Sequence, residues 1–189
     1  MAMADKKFYI QRFVYDSERG AWKADGVAKS LEDDFGAVRY KSITGINSVG
    51  KQKAVYSESY PEAGSLRVYV DPNAKRESIT STLTVYVFGS APEGASDKTT
   101  DELVLAAENA WNSLTDFLEG ALVLWVDDYR QRKGLFLLQE AVEPTSDIVK
   151  SIPYLQCQIK LTNVFGRTFP KDSTTIEDWL KSGGKEAMG

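Results

Sequence analysis

The chain has 189 residues, of which 42% are hydrophobic, 26% charged and 11% aromatic, and its formal net charge is −4. This composition is typical of a globular protein of one domain, and it excludes a disordered or fibrous chain. The acidic excess argues against nucleic-acid binding, because positive charge is needed to hold a phosphate backbone.

The first third of the chain is predicted to begin with a strand over 9–15, followed by a turn and a polar loop segment over 22–35. From residue 38 to residue 88 the pattern is that of β-structure, with turns at glycine and proline. The alternation is clearest over 79–88, where one face is apolar and the other is rich in threonine and aromatic residues. Predicted strands here cover 38–44, 52–57, 66–70 and 79–88.

A loop over 89–98 leads to the one strong helix signal, over 99–119. Thr99 and Glu102 have the spacing of a capping box, and Gly120 stands where a left-handed residue ends a helix. Apolar residues recur at steps of three and four, at Val104, Ala107, Trp111, Leu114 and Leu118. The pattern predicts an amphipathic helix whose apolar side faces the core.

After the helix the chain returns to strands, predicted over 122–126, 135–142 and 154–163. The polar connection 127–134 predicts that the first two form a hairpin. We expect Trp111 and Trp125 to be core partners, and Cys157 to be a buried packing residue on the apolar side of its strand. The segment 176–181 could form one short amphipathic turn of helix.

The order of these elements predicts an α+β fold that is mainly β: an antiparallel β-sandwich or barrel with one amphipathic helix inserted between strands. We expect three segments: an N-terminal strand and arm over 1–36, the sandwich over 37–170 with its helix at 99–119, and a flexible tail over 171–189.

Two absences remove most catalytic chemistry. The chain contains no histidine, which excludes Ser-His-Asp and Cys-His catalysis and histidine-ligated metals. Its single cysteine, Cys157, can form neither an intrachain disulfide nor a cysteine-cluster metal site. The glycines match no phosphate-binding loop, so we expect no cofactor and no metal.

The paired carboxylates Asp33–Asp34 and Asp127–Asp128 raise the possibility of a hydrolase. Adjacent strand residues point to opposite faces, whereas two catalytic carboxylates must face each other across ~5–10 Å. A solvated loop is the better interpretation of both pairs. We therefore predict that the protein is not an enzyme.

Several residues are candidates for contact with another subunit. The aromatic face of 79–88 suits such a contact, and a tryptophan in a polar segment is often an interface anchor, although a satellite cluster within the chain is equally consistent. The short basic run at 130–133 is balanced by two aspartates, so it favours a protein neighbour over nucleic acid or membrane. The candidate subunit-interface residues are Trp22, Tyr86, Phe88, Arg130, Arg132, Lys133 and Trp179.

The segment 78–89 (SITSTLTVYVFG) is a strand ending in glycine, and it precedes the helix, the hairpin and a last strand at 153–165 (PYLQCQIKLTNVF). This order, with the small turn in 40–46 (YKSITGI), resembles the N-terminal sandwich domain of siphophage distal tail proteins. The resemblance covers about residues 37–170. Phage tail tube and tail terminator proteins share the layout of a β-sandwich with a helix, and they are close alternatives.

The resemblance implies a non-enzymatic component of a phage or prophage tail. The resemblance implies that such a protein forms a homo-oligomeric ring, a hexamer, at the tail tube, tip or neck. It would bind other tail proteins and reside in the virion. The N-terminus lacks the apolar run of a signal peptide and no segment reaches ~18 apolar residues, so we expect synthesis in the host cytoplasm and no membrane contact.

Two other classes of function stay open at this point. The first is a carbohydrate- or small-ligand-binding sandwich that uses aromatic residues such as Tyr40, Tyr69 and Trp125. The second is a hydrolase with two distant carboxylates. A ring protein should elute as an oligomer, a lectin should be retained by a glycan, and an enzyme should lose turnover when a carboxylate is replaced.

Overall fold

A computed structural model describes residues 7–51, 55–60, 65–70, 76–89, 97–126, 131–142 and 154–184, with the backbone alone described for 55–60 and 65–70. In chain order its elements are β1 (Phe8–Asp16), β2 (Ala21–Ala24), β3 (Lys29–Ser30), α1 (Leu31–Asp34), β4 (Val38–Ile43), β5 (Val55–Tyr60), β6 (Ser65–Val70), β7 (Ile79–Phe88), α2 (Thr100–Phe117), β8 (Ala121–Val126), β9 (Arg132–Val142), β10 (Tyr154–Asn163), β11 (Phe169–Pro170) and α3 (Thr175–Lys181). None of the three helices in these ranges is long and apolar enough to cross a membrane.

Nine of the strands form one antiparallel sheet with the order β2-β1-β8-β9-β10-β7-β4, to which β3 and β11 add short pairings. The strands β5 and β6 form a separate hairpin. The predicted class is confirmed: the fold is mainly antiparallel β, and the helix α2 is inserted between β7 and β8. The predicted hairpin is also confirmed, because β8 and β9 pair directly.

The sheet curls until β1, its second strand, meets β4, its last. The rings of Phe8 and Tyr40 stack with centroids 5.1 Å apart. Glu32 of α1 joins the same two strands, because its carboxylate accepts the amide of Phe8 at Oε2 and the amide of Tyr40 at Oε1, each at 3.2 Å. The short helix α1 therefore closes the curled sheet, which explains the resemblance to a sandwich or barrel.

The main core lies between the concave face of this sheet and α2. The helix contributes a buried stripe of apolar residues, which are Leu103, Ala107, Trp111, Leu114, Phe117 and Leu118. The strands contribute alternate residues such as Leu83, Val85, Val87, Leu122, Leu124, Phe136, Ile159 and Leu161. Cys157 is buried in this core, as predicted from the alternation of its strand.

A second core lies on the opposite face of the sheet, under α3. It contains Phe13, Ala121, Val123, Leu135, Phe165, Phe169, Ile176 and Leu180. The strand β8 supplies both cores, since its successive side chains point to opposite faces. The expectation that Trp111 and Trp125 are core partners is wrong for this reason: Trp111 belongs to the main core, whereas Trp125 packs against the second.

The two ends of the chain take part in this architecture. The strand β1 is the second strand of the sheet order and pairs with β8 over six residues. The helix α3 buries Ile176 and Leu180 completely in the second core, where the predicted helical turn is found. The described parts of the expected arm and tail are thus joined to the same body as the central segment.

The interpretation of 22–35 as a loop is wrong. Trp22 lies in β2, which pairs with β1, and Lys29 lies in β3, which pairs with the beginning of the same strand. Ser30 then caps α1, because its side chain accepts the backbone amides of Glu32 and Asp33. The signal was present, since a serine followed, after one intervening residue, by three acidic residues, Glu32 to Asp34, is typical of the first turn of a helix.

The capping box of α2 is confirmed and leads to a first prediction. The Thr99 hydroxyl accepts the amide of Glu102 at 3.3 Å, and the Glu102 carboxylate accepts the amide of Thr99 at 2.8 Å. Replacing Thr99 by alanine should lower the free energy of unfolding by ~0.5–2 kcal/mol, because a helix amide loses its acceptor. Urea denaturation measures this, with Thr100→Ala as the control; equal stability of the two variants would contradict the prediction.

Candidate functional site

The carboxylates of α1 serve the fold. The ammonium group of Lys7 donates to Asp33 at 2.7 Å, and this hydrogen bond lowers the pKa of the Asp33 carboxyl, so it stays ionised at neutral pH and is unsuited to act as a general acid. Asp34 accepts the amide of Ser30 at 2.7 Å. Asp127 and Asp128 lie outside the described residues. Among those described, no three Cys, Asp or Glu side chains form a group suited to a metal.

The aromatic residues considered for carbohydrate binding are not brought together. Tyr40 stacks on Phe8 at the closure of the sheet and packs against the main core. Trp125 stacks on Tyr9 with centroids 5.5 Å apart and packs against the second core, on the opposite face of the sheet. The side chain of Tyr69 is not among those that the structure describes. A sugar could therefore not stack on Tyr40 and Trp125 together.

Two of the predicted interface residues do come together, on the face of the sheet that points away from α2. Tyr86 and Phe88 have ring centroids 6.5 Å apart, and Tyr154 of the neighbouring strand lies 4.9 Å and 5.3 Å from them. The ammonium group of Lys41 lies 5.2 Å from the Tyr86 ring centroid. We call Tyr86, Phe88 and Tyr154 the aromatic patch. Tyr154 was missed because only strand pairing places it beside Phe88.

The described residues of the basic run, Arg132 and Lys133, form hydrogen bonds with groups of the same chain. Lys133 is 8% exposed, and its ammonium group donates to Glu177 of α3 at 2.6 Å. Arg132 donates to the hydroxyl of Thr168 at 2.8 Å and to the carbonyl of the same residue. Arg130 lies outside the described residues. These contacts account for Lys133 and Arg132 inside one subunit, and their role at an interface stays a prediction.

The two terminal tryptophans pack within the chain. Trp22 meets Tyr15 edge to face with centroids 5.4 Å apart, and Trp179 meets Phe165 in the same way at 5.3 Å. Both are half-buried against the second core. Of the two interpretations of these tryptophans, this is the geometry of a satellite cluster, and an anchoring role between subunits stays a prediction.

A basic groove of about 460 Å³ lies beside the second core. Three arginines line it, Arg76, Arg132 and Arg167, together with Asn47, Ser48, Val49, Thr168, Phe169 and Pro170. We call this the arginine groove. Arg76 donates to the carbonyl of Gly50 at 2.9 Å, and the guanidinium carbon of Arg167 lies 4.8 Å from the Phe169 ring centroid. Sequence reasoning singled out only Arg132, because the other two arginines approach it through tertiary contacts alone.

Close backbone contacts are made by residues next to the arginine groove in the chain. The amide of Gly50 donates to the carbonyl of Gly166 at 2.6 Å. A Cβ atom on either glycine would lie 2.0 Å from the carbonyl oxygen of Glu77, which no side chain tolerates. Arg76 and Arg167 adjoin these packed positions in the chain. The backbones of Arg76 and Arg167 are therefore held in place beside the groove.

The edge strand β4 is not an open template for another strand. The carbonyl of Val38 accepts the guanidinium of Arg39 at 2.9 Å, and the amide of Tyr40 donates to Glu32 at 3.2 Å. Its pairing with β7 is also interrupted by a bulge between Tyr40 and Ser42. Capped backbone groups and bulges are devices that prevent pairing between sheet edges. The edge at β4 is therefore a poor template for the addition of another strand.

Comparison with known proteins shows a fold shared with phage baseplates. No protein-family model and no curated protein matches the sequence. Two structures of the phage p2 baseplate in its activated conformation, with strontium and with calcium, each superpose with a TM-score of 0.51. They are 10% and 11% identical and cover 85% and 86% of this chain. A structure of the SPP1 Dit (gp 19.1) protein, 8% identical, superposes with a TM-score of 0.45 over 86% of the chain. The chain spans less than half, 45%, of the baseplate chains.

Proposed function

We propose that this protein is a non-enzymatic structural component of a phage or prophage tail, and that copies of it form a ring with other tail proteins bound to it. The observation that carries the proposal is the fold shared with a chain of the phage p2 baseplate over 85% of the sequence. The order of elements that resembles distal tail proteins supports it independently. The three carboxylates of α1 all have structural partners, as expected of a protein that performs no reaction there.

A ring requires two different surfaces on each subunit, because head-to-tail contacts close only when one patch meets another. The aromatic patch and the arginine groove are formed by different residues, so each is available for a separate contact with a neighbouring subunit or another tail protein. Tyr154 is 36% exposed, so at least this side chain of the aromatic patch is open to solvent. Aromatic and arginine side chains are also the types enriched in protein interfaces. We propose a hexamer as the ring, and the tail of the virion as its location.

The proposal predicts assembly that depends on concentration. Isolated protein should be partly monomeric at low concentration and form rings at higher concentration or when tail-tube protein is added, since mass action favours the bound state. Multi-angle light scattering measures the mass, and negative-stain electron microscopy shows the shape. A strict monomer under all these conditions, above all one retained on a glycan column, would contradict a tail ring and favour a binding module.

A further inference from the structure

The helix α2 presents an acidic stripe to solvent. Its sequence, TDELVLAAENAWNSLTDF, contains no lysine or arginine. The exposed residues Asp101, Leu105, Glu108, Asp116 and Glu119, the last just beyond the helix, recur at helical spacing along the side opposite the core. No ion pair joins any of these carboxylates to a cation within the described ranges. We call these five residues the acidic stripe.

The arginine groove has the opposite property. None of the guanidinium groups of Arg76, Arg132 and Arg167 is paired with a carboxylate in the part of the chain that the structure describes. Arg132 and Arg167 are exposed, while Arg76 is half-buried. Among the residues that the structure describes, the lining contains no acidic side chain, although the chain as a whole carries a net charge of −4. The groove is thus a concentrated site of positive charge on an acidic protein, and it shares no residue with the acidic stripe.

We propose that the arginine groove of one copy receives the acidic stripe on α2 of the next copy. The proposal rests on the proposed ring and names the contact that builds it. Groove and stripe are different surfaces of one chain, so their contact is head-to-tail and can repeat around a closed ring. Arginine is suited to this role because its planar guanidinium binds carboxylates with two parallel hydrogen bonds.

The dimensions and chemistry of the two surfaces agree. Glu108 and Asp116 are separated by about 12 Å along a helix that rises ~1.5 Å per residue, so the stripe can present carboxylates to more than one arginine. Leu105, 59% exposed, lies within the stripe, and Val49, 61% exposed, lies in the groove. Each surface therefore offers an apolar side chain beside its charges, as interface centres commonly do.

A nucleic acid is the less favoured occupant of the groove. Phosphate-backbone binding depends on a positive field, and the acidic stripe and net charge of −4 oppose it at longer range. A single phosphate ion would leave most of a volume of about 460 Å³ unfilled. A protein surface with several carboxylates and an apolar residue fits both the charge and the size.

A charge-swap experiment tests the contact. The groove variant Arg76→Glu/Arg167→Glu and the stripe variant Glu108→Lys/Asp116→Lys should each raise the apparent dissociation constant of assembly at least about tenfold at low salt, because like charges then face each other. An equimolar mixture of the two variants should recover assembly, since every groove again meets a stripe of opposite charge in an alternating ring. A chain with all four substitutions should recover it as well. Sedimentation velocity measures the assembly.

Two matched controls are available: Glu18 lies in the turn between β1 and β2, and Lys23 lies in β2. Glu18→Lys and Lys23→Glu reverse exposed charges outside both surfaces, and they should leave assembly unchanged. Circular dichroism confirms that each variant is folded. If Arg76→Glu disturbs the fold through its lost bond to Gly50, the single variant Arg167→Glu, whose guanidinium is exposed, performs the same test.

The outcomes separate this contact from the ring itself. If the wild-type protein forms rings and neither variant weakens them, the proposed contact is wrong, but the proposed ring is not contradicted. Variants that weaken assembly without rescue in the mixture also overturn it. Wild-type protein that stays monomeric with and without tail-tube protein overturns both proposals. Binding of a fluorescent single-stranded oligonucleotide that the groove variant abolishes would assign the groove to a phosphate backbone instead.

Discussion

Replacing Leu114 by alanine should lower the free energy of unfolding by ~2–5 kcal/mol. Leu114 is 0% exposed and lies in the last turn of α2, where it packs into the main core between the helix and the curled sheet. Alanine removes buried apolar atoms and leaves a cavity that the surrounding strands can fill only in part, because the core is contributed by several elements. Chemical denaturation followed by tryptophan fluorescence measures the change.

The same helix provides the control. Leu105 is 59% exposed, so Leu105→Ala should change stability by no more than ~0.5 kcal/mol. A loss of equal size in the two variants would mean that α2 does not pack through the face that contains Leu114. An unchanged melting temperature in Leu114→Ala alone would lead to the same conclusion.

Replacing Glu32 by alanine should destabilise the protein by ~2–4 kcal/mol. The carboxylate is the acceptor for two backbone amides, and each part-buried amide that is left without an acceptor costs ~1–3 kcal/mol. Those amides belong to Phe8 of β1 and Tyr40 of β4, the strands that close the sheet. Hydrogen exchange of these two amides should accelerate in the variant more than exchange in β10. Denaturation in urea measures the total loss.

Two further variants isolate the role of Glu32. Glu32→Gln keeps one acceptor oxygen and should therefore lose about half as much stability as Glu32→Ala. Asp33→Ala removes the neighbouring carboxylate, which is exposed and bound to Lys7, so its effect should be much smaller. If Asp33→Ala were as damaging as Glu32→Ala, the closure of the sheet would depend on the charge of α1 rather than on the bridge.

Much of the secondary structure was predictable because its signals are local. The strands at 79–88 and 154–163 were predicted with the bounds that they have, since alternation of apolar and polar residues requires only the chain itself. The helix α2 carries its capping box and its apolar stripe in the sequence. The antiparallel class followed from the order of these elements.

The elements that were missed are short and depend on distant partners. The strand β3 has two residues and α1 has four, too few for periodicity to be read. The strand β3 pairs with β1, and α1 is hydrogen-bonded to both β1 and β4. A nucleus of this size is unstable on its own, so tertiary contacts decide whether it forms. The same holds for Glu32, whose bridging role is defined by two amides far from it in sequence.

The class of the fold, the position of its helix and the absence of histidine and disulfide chemistry follow from the amino-acid sequence, because each depends on composition or on neighbours along the chain. Which side chains share a surface depends on the folded chain. It separated Trp111 from Trp125 through the two faces of β8, brought Tyr154 to Tyr86, and gathered Arg76, Arg132 and Arg167 around one groove. The physical reason is that strand register and sheet curvature, set by packing over the whole core, place residues that no local pattern relates.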